Sequence, residues 1–137
     1  MKPKVFLLAD NGYPSYATMI MVPQSLIDSN PAAVKAFVEA SAKGWRDYLY
    51  GDPKPADALI RKDNPEMAQD VLDQAREKMK SYGIVDGGEA KTAGIGTMSD
   101  ARWAEFFKIA SDQGVYPKTL DYKKAYTLQF VAPPAAK

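Results

Sequence analysis

The residues from Asn30 to Gly51, NPAAVKAFVEASAKGWRDYLYG, restrict the fold more than any other part of the chain. An asparagine side chain accepts from the free N–H groups of a helix start, and a proline suits the first helical position because it has no N–H to leave unsatisfied. Val34, Phe37, Val38, Ser41, Ala42, Trp45, Tyr48 and Leu49 then recur at helical spacing and share one face. Lys35, Glu39, Lys43 and Asp47 fall opposite, four residues apart, where neighbouring charges pair. Gly51 supplies a C-terminal stop, and Gly44 inside the run costs about 1 kcal/mol relative to alanine. The pattern predicts a long amphipathic helix whose apolar face must be covered by something else.

The candidate cover lies upstream. Val5–Ala9 and Ala17–Val22 are nearly continuous apolar runs, as expected of strands buried on both faces. The turn-forming cluster Asp10-Asn11-Gly12-Tyr13-Pro14 separates them. With 137 residues, 46% hydrophobic and 26% charged, residues 1–137 are expected to form a single domain with a modest core. The reading is a helix-rich α/β fold, with two main N-terminal strands followed by four to five helices.

Further elements follow the same logic. Pro23 ends the second strand or opens a helical turn over Gln24 to Ser29, and a short helix is expected from Pro55 to Lys62. A second Asn-Pro start, Asn64 and Pro65, predicts a helix with Met67, Val71, Leu72, Ala75, Met79 and Tyr82 in one stripe and Gly83 at its end. Five of the 9 glycines fall between Gly83 and Met98, which predicts a specially shaped loop. Ser99 caps a helix that carries Trp103, Phe106, Phe107 and Ala110 and stops at Gly114. A short helix near Leu120 to Tyr126, an extended Leu128 to Val131 and a disordered tail over 132–137 complete the reading.

Composition closes off whole classes of chemistry. The chain has no cysteine and no histidine. Disulfides, thiolate nucleophiles, imidazole acid–base catalysis and Cys or His metal ligation are therefore excluded. No cofactor or metal site is expected, and no catalytic set emerges. A net charge of +1, without a basic run, gives no field to hold nucleic acid. The opening apolar run stops at Asp10, too short for a signal peptide, and no stretch is long enough to span a bilayer.

Three stretches invite a functional reading. GIGTMS, Gly94 to Ser99, precedes a helix as phosphate-cradling loops do, but it lacks the third glycine and the following lysine; a serine-capped glycine loop explains it. Asp70, Asp73 and Glu77 share a helix with Arg76, Lys78 and Lys80, the mixture of a solvated face. Tyr13 and Tyr16 flank Pro14 in a turn where periodicity does not force burial. They either close the end of a hairpin or stack on a planar ligand.

Read together, NGYPSYATMIMVPQSLIDSNPAAVKAFVEASAKGWRDYLYGDP, ALIRKDNPEM and GIGTMSDARW resemble, in order, the C-terminal half of periplasmic substrate-binding proteins. The family is the nitrate/sulfonate/taurine and thiamine-pyrimidine-precursor type that serves ABC importers. The resemblance runs from about Val5 to Val131. It implies part of a type II clamshell lobe, a periplasmic location, a permease partner in the intact protein and a small-molecule ligand in the cleft. It also implies that the aromatic turn lies near that cleft, with Asp10, Asn11, Tyr13 and Tyr16 as ligand-binding residues. Arg46, Arg61, Arg76 and Arg102 all fall within predicted helices and none is clearly at the cleft, which tilts the ligand toward a heterocycle rather than an anion. Fungal relatives that make the pyrimidine themselves use a histidine and a cysteine-rich motif, and this chain has neither, so a non-enzymatic role is expected. The half that supplies most of the sheet lies outside the resemblance. Helical stripes left uncovered would be hidden by association, so a homo-oligomer is expected. The alternative is a helical assembly domain derived from the same fold, with no ligand of its own.

Overall fold

The computed structural model describes residues 4–131. Its α-helices are α1 (Gln24–Ser29), α2 (Pro31–Tyr50), α3 (Lys54–Asp63), α4 (Gln69–Ser81), α5 (Ala90–Ala93) and α6 (Asp100–Asp112), with single 3-10 turns at Ala9–Asn11 and Tyr122–Ala125.

The long helix forms where its sequence requires. The Asn30 side chain accepts from the Ala33 N–H at 3.2 Å, and Pro31 occupies the first turn. Lys35 with Glu39 and Lys43 with Asp47 pair along the outer face, 3.8 and 2.5 Å apart. α1 and α4 pack against α2. Val34 and Leu49 are buried, but Phe37 and Trp45 of the same stripe remain 61% and 42% exposed. The apolar face is therefore covered only in part.

The two expected strands are absent: among the described residues the fold is helical and not α/β. An apolar run becomes a strand only when a neighbouring strand takes its backbone N–H and C=O groups. Val5–Ala9 instead runs into the first 3-10 turn, where the N–H groups of Asp10 and Asn11 bond the carbonyls of Leu7 and Leu8. Residues 17–22 make no backbone hydrogen bond to any described residue. Met19, Ile20 and Met21 stay in the open, with Met21 97% exposed.

Two further expectations are corrected. Asn64 does not start α4. Its N–H closes α3 on the Ile60 carbonyl, its own carbonyl accepts from Met67 N–H in a tight turn, and Ala68 is extended before the helix begins at Gln69. Leu128–Val131 is a turn closed by Val131 N–H on the Leu128 carbonyl, not an extended segment. The expected tail over 132–137 lies outside the described residues.

The glycine stops hold. At the end of α4, Gly83 N–H bonds Lys80 O and Ile84 N–H bonds Met79 O; at the end of α6, Gly114 and Val115 bond Ser111 and Ala110 in the same pattern. Both glycines have positive φ, 59° and 74°, the left-handed conformation that this helix ending needs.

A buried carboxylate ties the first helices together. Asp57 of α3 is 3% exposed. It accepts from the Tyr48 hydroxyl of α2 at 3.1 Å and from Gln69 Nε2 of α4 at 2.7 Å. Arg76 of α4 ion-pairs with it at 3.3 Å, and the same guanidinium bonds Asp73 at 2.5 Å. Burial pushes the Asp57 carboxyl up, but the Gln69 and Tyr48 donors and the Arg76 charge outweigh it and hold the group below its ordinary value. Gln69 and Arg76 thus fix where α4 starts and which way it faces.

Candidate functional site

The aromatic turn, the glycine-rich segment and the start of α6 converge on Tyr16. Ser99 is the N-cap of α6, with its Oγ accepting from the Arg102 N–H at 3.2 Å. Its backbone N–H donates to the Tyr16 hydroxyl at 2.9 Å. That hydroxyl donates to Glu89 Oε2 at 3.2 Å, while Ser99 Oγ donates to Glu89 Oε1 at 2.5 Å. The result is a closed ring of hydrogen bonds in which both Glu89 oxygens are used. Burial raises the Tyr16 hydroxyl above the ordinary tyrosine value; the Ser99 donors oppose the rise and the Glu89 carboxylate adds to it.

Arg102, one turn into α6, clamps the segment before Tyr16. Its Nε donates to the Pro14 carbonyl at 2.7 Å and its Nη2 to the Ser15 carbonyl at 2.9 Å. The guanidinium also lies over the Tyr16 ring, 4.3 Å from the centroid, a cation–π contact. Trp103 packs on Tyr16 with centroids 5.6 Å apart and stacks on Tyr126 at 4.6 Å, nearly parallel. Trp103 Nε1 is buried without a hydrogen-bond acceptor among the described residues. The Tyr126 hydroxyl bonds Asp100, and that bond to a carboxylate pushes its pKa up to about 12.

The four residues expected at the ligand are not all brought together. Tyr16 is committed to α6. Tyr13 packs edge-on against Phe106 with centroids 5.5 Å apart, yet remains 40% exposed. Asn11 donates its side-chain N–H to the Leu7 carbonyl at 2.8 Å within the turn, and Asp10 is exposed. Sequence reasoning missed Arg102, Glu89 and Ser99 as partners of the turn. Arg102 is one of the four helical arginines that the sequence did not assign to the cleft. The signal available was Ser99 itself: a cap at the start of an aromatic helix leaves its own N–H pointing out of the helix, free for a hydroxyl.

The glycine stretch resolves as its plain reading, and the charged face of α4 does so only in part. Ser99 caps α6, as expected for GIGTMS, and spends its N–H on Tyr16. Glu77 pairs with Lys80 at 2.7 Å on the solvated face, but Arg76, expected on that face, is 13% exposed at its side chain and joins Asp73 to the buried Asp57. No helix among the described residues is long and apolar enough to cross a membrane.

Residues 1–56 match the model of a family described as NMT1/THI5 like. The matched stretch is 56 of 137 residues, and it carries the aromatic turn, the apolar run and α2. At that coarse level the match supports a relationship to the nitrate/sulfonate/thiamine-precursor type of binding protein. No curated protein and no solved structure matches the chain.

Proposed function

We propose that this chain is the C-terminal portion of a solute-binding protein that delivers a small molecule to an ABC permease from the periplasm, without catalysis. The family match over residues 1–56 carries the reading, because it covers the turn that the resemblance assigns to the ligand cleft. The ligand is a pyrimidine precursor of thiamine, a sulfonate or a nitrate-like anion. Asp10, Asn11, Tyr13 and Tyr16 form the ligand-facing turn. Their roles divide by geometry. Tyr13 and Asp10 have surface left to offer, whereas Tyr16, held by Glu89, Ser99 and Arg102, sets the position of the turn.

The test is a thermal-shift screen against pyrimidine precursors, taurine, other sulfonates and nitrate. A ligand that binds only the folded state at a hundred times its Kd adds about 2.7 kcal/mol, a clear rise in Tm. The rise is expected to vanish in Tyr13→Ala while the unliganded Tm changes little.

A second reading is favoured by one observation: both tyrosines of the turn already have internal ring partners, Phe106 and Trp103. A helical assembly domain with no ligand would use them in this way. No shift with any compound in the screen supports that reading over the first.

A further inference from the structure

The groove between α3 and α4 carries charge that the molecule leaves unspent. A cavity of about 430 Å³, the size of a small-ligand site, opens there and is lined wholly by residues from Pro53 to Arg76. Its two carboxylates are already neutralised. Arg76 ion-pairs with Asp57 at 3.3 Å and with Asp73 at 2.5 Å, and Gln69 Nε2 donates to both, at 2.7 and 3.2 Å. On the α3 wall, Lys54, Ala58 and Arg61 follow one another at helical spacing along one face. Among the described residues, neither Lys54 nor Arg61 is ion-paired. Asp52, next to this wall, accepts from the backbone N–H of Lys54 at 3.1 Å. Three cations therefore face two carboxylates across the cavity, and the surplus sits on Lys54 and Arg61.

We propose that this groove binds a small two-headed anion, a short dicarboxylate, with one carboxylate on Lys54 and the other on Arg61. Spacing selects that class. The two cations stand seven residues apart on α3, about 10 Å along the helix axis. A short methylene chain carries its two charged ends to both, whereas a compact anion must draw both side chains inward to meet them. The middle of the groove suits methylenes, because Ala58 lies between the cations and Pro53 lines the cavity beside Lys54. The small Ala58 side chain also keeps the space between the cations open. At the ends, the Arg61 guanidinium can take a carboxylate through two parallel N–H bonds, and the Lys54 ammonium acts as a point charge. None of the aromatic-turn residues lines this cavity, so the inference stands apart from the proposed solute site.

The experiment is an NMR titration of backbone amides in the full 137-residue chain with glutarate at constant ionic strength. Acetate and inorganic phosphate are the comparison probes. Saturable shifts are expected within residues 53–76, with glutarate about tenfold tighter than either comparison anion. Arg61→Gln and Lys54→Gln are each expected to weaken glutarate about tenfold. Ala58→Leu keeps both charges and a good helix former, fills the space between the cations, and is expected to abolish the shifts. Lys35→Gln removes the same unit charge from α2 and is expected to leave the affinity unchanged. All four positions are exposed, so the variants keep the helical circular dichroism of the parent. The absence of saturable shifts with glutarate overturns the proposal. So does equal affinity for phosphate, binding that survives Ala58→Leu, or equal weakening by Lys35→Gln. Tyr13→Ala is expected to leave glutarate binding intact, so failure of this site and failure of the aromatic turn are read separately.

Discussion

Arg76 and Arg102 each lie over a tyrosine ring with a carboxylate close by, yet they hold the molecule together in different ways. Arg76 sits 5.5 Å from the centroid of the Tyr48 ring and spends its charge on Asp57 and Asp73. Tyr48 comes from α2, Asp57 from α3 and Asp73 from its own helix α4, and Asp57 is buried. Arg102 spends its donors on two backbone carbonyls, and the carboxylate beside it, Glu89, is satisfied by hydroxyls. The first arrangement joins elements that are already folded. The second gives fixed shape to a stretch with no secondary structure of its own.

The sharpest way to break the comparison is at Asp57. Asp57→Ala removes the acceptor of Tyr48, Gln69 and Arg76 at once and leaves buried donors unpaired, so a loss of about 3 kcal/mol in chemical denaturation is expected. Its pH dependence follows from the depressed Asp57 carboxyl. A group whose folded pKa is lowered contributes stability above its unfolded pKa and loses it as pH falls through the folded value. The contribution is therefore full above the ordinary aspartate value, about 4, and fades below it. An acid-denaturation series should show this limb in the wild type and not in Asp57→Asn.

Arg102→Ala should cost less, about 1–2 kcal/mol, because the freed Pro14 and Ser15 carbonyls can turn to water. Its signature is local. Hydrogen exchange and limited proteolysis should open residues 13–23, while α2, α3 and α4 keep their protection. Equal loosening of both regions would mean that the two arginines act alike.

The smallest effect is expected at Tyr126. The Asp100 carboxylate holds its hydroxyl protonated to about pH 12, so one tyrosine should resist ionisation in a spectrophotometric titration. Asp100→Asn should bring it back toward 10 with little change in stability.

The same contrast explains what was legible in the sequence. The cap and stripe of α2, the Ser99 cap and the glycine endings are local features, set by residues within one or two turns, and the structure contains them. The strands were not legible because a strand is a property of two segments, and residues 17–22 have no partner among the described residues. Asn64-Pro65 misled for a related reason. The dipeptide is the same as Asn30-Pro31, but the start of α4 is fixed by Gln69 and Arg76 reaching back to Asp57 across α3. Of the expected ligand residues, the sequence marked the turn but not its holders, since Glu89, Ser99 and Arg102 lie 73 or more positions away.

That separation bears on the order in which the molecule assembles. The Tyr48–Asp57 bond closes a span of 9 residues and the Ser99–Tyr16 bond a span of 83. The chain entropy of closing the longer loop exceeds that of the shorter by about 2 kcal/mol. On a ribosome, Tyr16 emerges long before Ser99 exists to receive it. Until then Tyr16 and the two residues before it lack the partners that hold them, so the turn takes its shape only after the start of α6 has been made.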